Sequence, residues 1–515
     1  MNTCHLINKR FNNKENDSST TNTTTIITPT TTITTTTSIV DMVLGTLNDL
    51  NWVIPNGITT MTFGNAFNTS LVPGALPESL RSLTFGISFN QRLNIGELPP
   101  NLTKLTFGYC YNRSLAVGAL PASLTTLTFG YYFNQELAVG SLPISLTRLT
   151  FGHYYNEEIK PNVLPLALKH LTLGTRYDTP IDEGVLPFGL HYLEFGDYFT
   201  RKLHRNSLPE SLKVIRFGRM FDHKTYHLPA SLTTLRFGND FNTPFETLEA
   251  SPDHYLPPNL TKLTLGFEFN QPIIKGQLPT TLTTLRFGTL YKQPLKVGCL
   301  PESLLTLDLG VFYNHELVPG VLPSTLTTLI ISGEYTKPLV AGALPDSLTS
   351  LVLGLTRVAD ITLPEASKTN LKHLTCPYVS HIKCVDNGSS QIDVIRVVNT
   401  VLIGEQLPLV STKIKTLEVA LDITQNIRYT KEEHQKQLQG NVHKFYKALV
   451  QSVPKVSDYS IGLSKTTATK RDRNTITSSS DLISTTMLRR IGENSVLCLE
   501  GHNISKQDVH PRLYM

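Results

Sequence analysis

The sequence predicts a repeat solenoid, a curved parallel β-sheet of 22-residue units with extended, polyproline-like returns, and three observations carry that prediction. First, Leu-Pro recurs at a fixed period: Leu76, Leu98, Leu120, Leu142, Leu164, Leu186 and Leu208 stand 22 apart, as do Leu256, Leu278, Leu300, Leu322 and Leu344. Second, each unit carries two Leu three apart and a third apolar residue two further on, such as Leu124, Leu127 and Phe129. A period in the range of about 20 to 29 with that triplet is the signature of leucine-rich stacking. Third, SLTTLTF alternates apolar residues with Thr, the period-two pattern of a short strand that keeps Leu127 and Phe129 inward and Thr126 and Thr128 outward.

The remaining positions of the unit follow from backbone chemistry. A Gly closes each strand (Gly64, Gly86, Gly108, Gly130, Gly152 and onward to Gly310), where a side chain would crowd the bend or φ must be positive. Three residues later comes another inward aromatic, as at Phe89, Phe133, Phe199 or Phe269. The Pro that opens the next unit fixes φ and donates no hydrogen bond, so the return is extended and not an α-helix. Phe241-Asn242-Thr243-Pro244 and Phe269-Asn270-Gln271-Pro272, in register with LPxSLTxLxFG, resemble the FNIP repeat, a relative of the leucine-rich repeats. That resemblance covers residues 54–365 and implies a binding scaffold with no catalytic residues. Some relatives carry an N-terminal F-box and act as ubiquitin-ligase adaptors. About forty residues of helical pattern would be needed for one, and only some thirteen suitable residues precede the repeats here.

Taken in order, residues 1–40 read as a disordered segment, with 13 Thr among the 18 residues from Thr20 to Thr37. Asp41 to Val53 reads as an N-terminal cap over the first edge strand. Within the array, the unit at Leu208 is two residues short and the unit at Leu228 six too long, the extra residues falling around Glu246 to Tyr255. Insertions in such arrays map to loops and are places where partners bind, or are simply tolerated. Residues 366–424 keep the triplet in decayed form: Leu371, Leu374 and Cys376, then Ile392, Ile395 and Val397, then Ile414, Leu417 and Val419. Residues 425–454 read as an amphipathic capping helix through Leu438, Val442, Phe445 and Leu449, ended by Pro454. Residues 455–515 read as a mostly disordered tail, its Ser/Thr-rich part suited to phosphorylation.

Composition narrows function by exclusion. A net charge of +5 over 515 residues gives no case for nucleic acid as partner. No apolar run reaches the roughly 18 residues of a membrane span. Six scattered Cys and the absence of a signal-peptide pattern point to a reducing, cytoplasmic setting. Neither phosphate-binding Gly motif nor nucleophile elbow occurs, so no enzyme activity and no cofactor are expected. His373, Cys376, His381 and Cys384 have metal-like spacing, but Cys376 is an inward residue of its triplet, and no metal site is assigned.

Outward columns are therefore where binding residues are sought. Tyr132, Tyr154 and Tyr198 share one column after the strand-closing Gly, and Tyr109 and Tyr131, with His153, share the column beside it. Such rings suit recognition of another protein or peptide, or simply cover the solenoid edge. Between the inward Leu and Phe, Thr gives way to Glu194, Arg216, Arg236, Arg286 and Asp308, and residues 201–236 carry eight Lys or Arg against two Asp or Glu. These charges either receive an acidic or phosphorylated ligand or form an internal ladder. The expected function is a non-catalytic protein-interaction scaffold. A ubiquitin-ligase adaptor and a receptor for anionic ligands are the alternatives.

Overall fold

The computed structural model describes residues 57–223, 228–245, 256–331, 333, 335–354, 370–376, 392–397 and 413–418. It adds the backbone of strands at 40–42, 391–400, 413–422, 456–468, 478–490, 496–501 and 509–514. The chain divides into two compact units, Met1–Leu260 and Thr261–Met515.

The first unit contains β1 (Val40–Met42), β2 (Thr60–Phe63), β3 (Ser82–Thr84), β4 (Lys104–Thr106), β5 (Thr126–Thr128), β6 (Arg148–Thr150), β7 (His170–Thr172), β8 (Tyr192–Glu194), β9 (Val214–Arg216) and β10 (Thr234–Arg236). Each pairs in parallel with the next, and from β2 to β8 partners differ by 22 residues, Leu83 with Leu105 and Leu105 with Leu127. β1 pairs with β2, so the chain just upstream of the repeats covers the first edge.

Within a rung, Leu120, Leu124, Leu127, Phe129, Phe133 and Leu137 are all buried, while Thr126 and Thr128 are half-buried on the other face. Phe129 lies 3.8 Å from Phe133 in its own rung and 5.7 and 5.5 Å from Phe107 and Phe151 in the rungs beside it, all stacked. Two columns thus form the core, the Phe133 column ringed in every rung of the first unit and the Phe129 column interrupted by Leu173, each ring contributing about 1.5–3 kcal/mol by burial. Tight turns make the return: Phe133 N–H donates to Gly130 O at 3.2 Å, Ser141 to Ala138 at 3.0 Å and Leu146 to Pro143 at 3.1 Å. No helix occurs among the described residues.

Polar side chains tie rung to rung where the turns leave backbone unpaired. The Asn of the Phe-Asn pair accepts from the backbone N–H of its successor, Asn90 to Asn68 at 2.8 Å, Asn112 to Asn90 and Asn134 to Asn112 at 3.0 Å each, and Asn156 to Asn134 at 2.7 Å. Asp178 takes over the column and accepts from Thr200 at 2.8 Å. The Ser of LPxSLT does likewise on the strand's other side: Ser123 Oγ donates to Leu102 O and Ser145 Oγ to Leu124 O, both at 2.7 Å.

In the first unit the two reasons for Gly separate onto two columns, whereas strand-closing Gly310 of the second unit meets both, with φ 77° and an added Cβ 2.1 Å from Gly288 O. A Cβ on the strand-closing Gly130 would lie 1.7 Å from Gly108 O, so that column is set by close backbone approach. The positive-φ column is the other one, at Gly96, Gly118, Gly140 and Gly184, where Asn162 (φ 65°) and Asn206 (φ 67°) stand in twice.

The second unit contains β11 (Lys262–Thr264), β12 (Thr284–Arg286), β13 (Thr306–Asp308), β14 (Thr328–Ile331), β15 (Ser350–Leu353), β16 (His373–Cys376), β17 (Gln391–Thr400), β18 (Lys413–Asp422) and β19 (Val456–Ala468), parallel throughout. Leu374, Ile395 and Leu417 are buried and in register, which carries the repeat through its decayed turns.

The tail differs from its expected disorder. β19 is followed by β20 (Ser478–Arg490), β21 (Val496–Gly501) and β22 (Val509–Tyr514), paired antiparallel. Alternation such as Tyr459, Ile461 and Leu463 is strand-like, and the Ser/Thr content that suggested disorder is also β-compatible. The expected capping helix at 425–454, the insertion at Glu246 to Tyr255, and His381 and Cys384 lie outside the described residues. Cys376 is buried and His373, on the opposite strand face, exposed. Among the described residues no helix is long and apolar enough to cross a membrane.

Candidate functional site

The structure assembles four of the five tyrosines sought as binding residues, Tyr109, Tyr131, Tyr132 and Tyr154, into one surface on the turn that follows the strand-closing Gly. That turn is locked rung to rung: Tyr132 N–H donates to Tyr109 O, Tyr154 to Tyr131 and Tyr198 to Thr175, each at 3.0 Å, and Arg176 to His153 at 2.9 Å. Side chains 22 apart in sequence must then stack. In the first column Tyr109 lies 4.3 Å from Tyr131 with planes 6° apart, and Tyr131 lies 4.5 Å from His153 at 2°. In the second, Tyr132 and Tyr154 stack at 5.1 Å. The columns meet edge to face, Tyr109 on Tyr132 at 5.3 Å, Tyr131 on Tyr132 at 5.2 Å and Tyr131 on Tyr154 at 5.3 Å. Offset and T-shaped contacts are the favoured aromatic geometries, so the rings hold one another in place.

Tyr198 is two rungs beyond Tyr154, and the sequence reading left out what joins them. Arg176 occupies the intervening position, its Cζ 4.5 Å from the centre of the Tyr154 ring and 5.9 Å from that of Tyr198. The signal was available, since Arg176 follows Gly174 by two residues as Tyr154 follows Gly152. A search for rings alone passes over a guanidinium that stacks on them.

Electrostatics mark the surface as well. The Tyr109 phenol is pushed up to about 12 by partial burial and by the neighbouring Tyr131 and Tyr132. His153 is held below its ordinary value by burial and by Arg176, with Asp197 opposing, so the imidazole facing Tyr131 is neutral at pH 7.

Arg216 and Arg236 lie elsewhere, on the outer strand face, exposed and register-paired across β9 and β10. Glu194 is register-paired with Arg216, but its carboxylate accepts from the Tyr192 hydroxyl at 2.5 Å, and the Arg216 Cζ sits 5.6 Å from the centre of the Tyr192 ring. The expected charge ladder is therefore routed through an aromatic ring. Arg286 belongs to the second unit, exposed between Thr264 and Asp308. Burial raises the Asp308 carboxyl, while the Gly310 N–H and Arg286 oppose the shift.

The FNIP repeat profile matches nine segments, running from 51–88 to 313–356 and together covering more than half of the chain. Among solved structures, a protein described as CroV588, a novel circular LRR protein, is 38% identical with a TM-score of 0.61, covering 73% of this chain and 55% of its own. This chain thus spans only about half the length of that relative. An internalin (inlF) from Listeria monocytogenes is 17% identical with a TM-score of 0.37, over 62% of this chain and 86% of its own. The Toll–Spatzle complex of Drosophila is 12% identical with a TM-score of 0.38, over 71% and 60%. No curated protein matches.

Proposed function

Since the chain belongs to the FNIP repeat family, we propose that it is a non-catalytic scaffold whose ring-lined turn surface, Tyr109, Tyr131, Tyr132, Tyr154, Arg176 and Tyr198, holds another protein or peptide. One observation carries the reading: inward rings already complete the core, yet a second aromatic array, half-exposed, is built outside it. Tyr198 remains 49% exposed. Rings and Arg in a preorganised array lose little side-chain entropy on binding, which is why they dominate recognition surfaces. Cys110, Cys299 and Cys376 are buried, and a reducing, cytoplasmic setting is part of this reading.

Proximity labelling with the full chain and with Tyr131→Ala/Tyr132→Ala/Tyr154→Ala tests the reading. Neighbours captured by the wild type and lost in the variant, with unchanged circular dichroism and unfolding midpoint, are the expected result. An identical set of neighbours for both proteins overturns it.

A further inference from the structure

The strand face from β6 to β10 carries a cationic band that the ring surface does not use. Its outward columns hold Arg148, His170, Arg216 and Arg236, with exposed Lys213 immediately before β9, whereas β5 presents only Thr126 and Thr128. Among the described residues none of these cations is paired with a carboxylate. The band contains a single carboxylate, Glu194, and that one accepts from Tyr192. Arg216 and Arg236 stand directly opposite each other on neighbouring strands, an arrangement that destabilises a sheet unless a counter-charge bridges it. Burial first, and then Arg148 and His191, hold His170 below its ordinary value.

Building on the scaffold reading, we propose that this strand face docks an extended, carboxylate-rich segment of a partner protein. Five rungs at roughly 4.8 Å span about 19 Å, the length of some six extended residues. Side chains alternate along such a segment, so every second one would face the guanidinium groups. Arg is suited to that role because its planar fork takes a carboxylate through two hydrogen bonds. Tyr192 and Val214, half-buried at the middle of the band, offer apolar contact between the charges. A nucleic acid is the poorer fit. Its bases need free aromatic platforms, and the one Tyr on the band is already occupied by Glu194 and Arg216.

Fluorescence anisotropy on the full chain tests this with a labelled octapeptide of alternating Glu and Ser, its Gln counterpart, and oligouridylate. The Glu peptide should bind and weaken as salt rises, the Gln peptide should not bind, and Arg216→Ala/Arg236→Ala should lose about tenfold in affinity. Lys275→Ala, an exposed substitution in the second unit, should leave binding unchanged. In histidine NMR the His170 titration should move upward when the Glu peptide is added. Equal binding of the Gln peptide, an equal loss from Lys275→Ala, or tighter binding of oligouridylate than of the Glu peptide would overturn the proposal. Loss of wild-type neighbours in the triple Tyr variant, with the Glu peptide failing to bind, would remove this inference and leave the ring surface standing.

Discussion

Gly130→Ala should be far more damaging than Gly140→Ala, although both replace a glycine within one rung. The added Cβ at Gly130 would sit 1.7 Å from Gly108 O, where ordinary contact begins at 3.4 Å, so neighbouring rungs must part by roughly 1.7 Å. The Tyr132-to-Tyr109 and Phe107-to-Thr128 hydrogen bonds, 3.0 and 2.9 Å, cross that same junction and cannot survive the movement. Two backbone bonds at about 1–3 kcal/mol each put the cost near 3 kcal/mol or above. At Gly140 the nearest atom to an added Cβ is Val117 Cγ1 at 3.6 Å, so only the φ of +82° resists, for about 1–2 kcal/mol. Gly140→Asn should cost less still, because Asn162 holds the same column at φ 65°. Urea unfolding of the full chain, followed by far-ultraviolet circular dichroism, measures all three. Equal losses at Gly130 and Gly140, or a tolerated Gly130→Ala, would refute the assignment of the two columns.

Other substitutions probe the core, the polar ladders and the ionisable rings. Phe129→Ala should cost about 3–5 kcal/mol through the cavity it opens, against under about 0.5 kcal/mol for Thr128→Ala, both read from urea midpoints. Asn112→Ala orphans the Asn134 N–H and should cost about 1–3 kcal/mol, while Asn112→Asp should be much milder, since Asp178 already fills that role; thermal unfolding distinguishes them. Alkaline pH should destabilise the fold from about pH 10 upward. Tyr177, Tyr313 and Tyr335 are raised to about 12 by burial, so above the unfolded value the unfolded chain binds fewer protons than the folded one and stability falls as pH rises. Ultraviolet titration should show these phenols ionising only as the fold is lost, and ionisation at their ordinary value with circular dichroism unchanged would contradict their burial.

The inward columns were legible because a strict 22-residue period turns one reading of Leu124, Leu127, Phe129 and Phe133 into the reading of every rung. Tyr109, Tyr131, Tyr132 and Tyr154 were legible for the same reason: identical register makes sequence spacing equal to spatial adjacency. Side-chain direction was harder to foresee. Arg176 stacks as if it were a ring, and Glu194 turns to Tyr192 although Arg216 stands beside it, because hydrogen-bond reach decides between neighbours that the period treats alike. The tail escaped the reading because Ser and Thr content does not separate a disordered segment from a polar strand. Which reason governs each Gly also could not be read from residue type, since crowding and positive φ both select glycine.

A photo-crosslinking residue placed singly along one rung tests most directly where a partner is held. At Tyr154, on the ring surface, it should give adducts with the same partner that proximity labelling identifies through the wild-type chain. At Ile144, 86% exposed on the turn before the next strand, it should give none. Adducts from Ile144 and none from Tyr154 would place recognition on the return side and contradict the account.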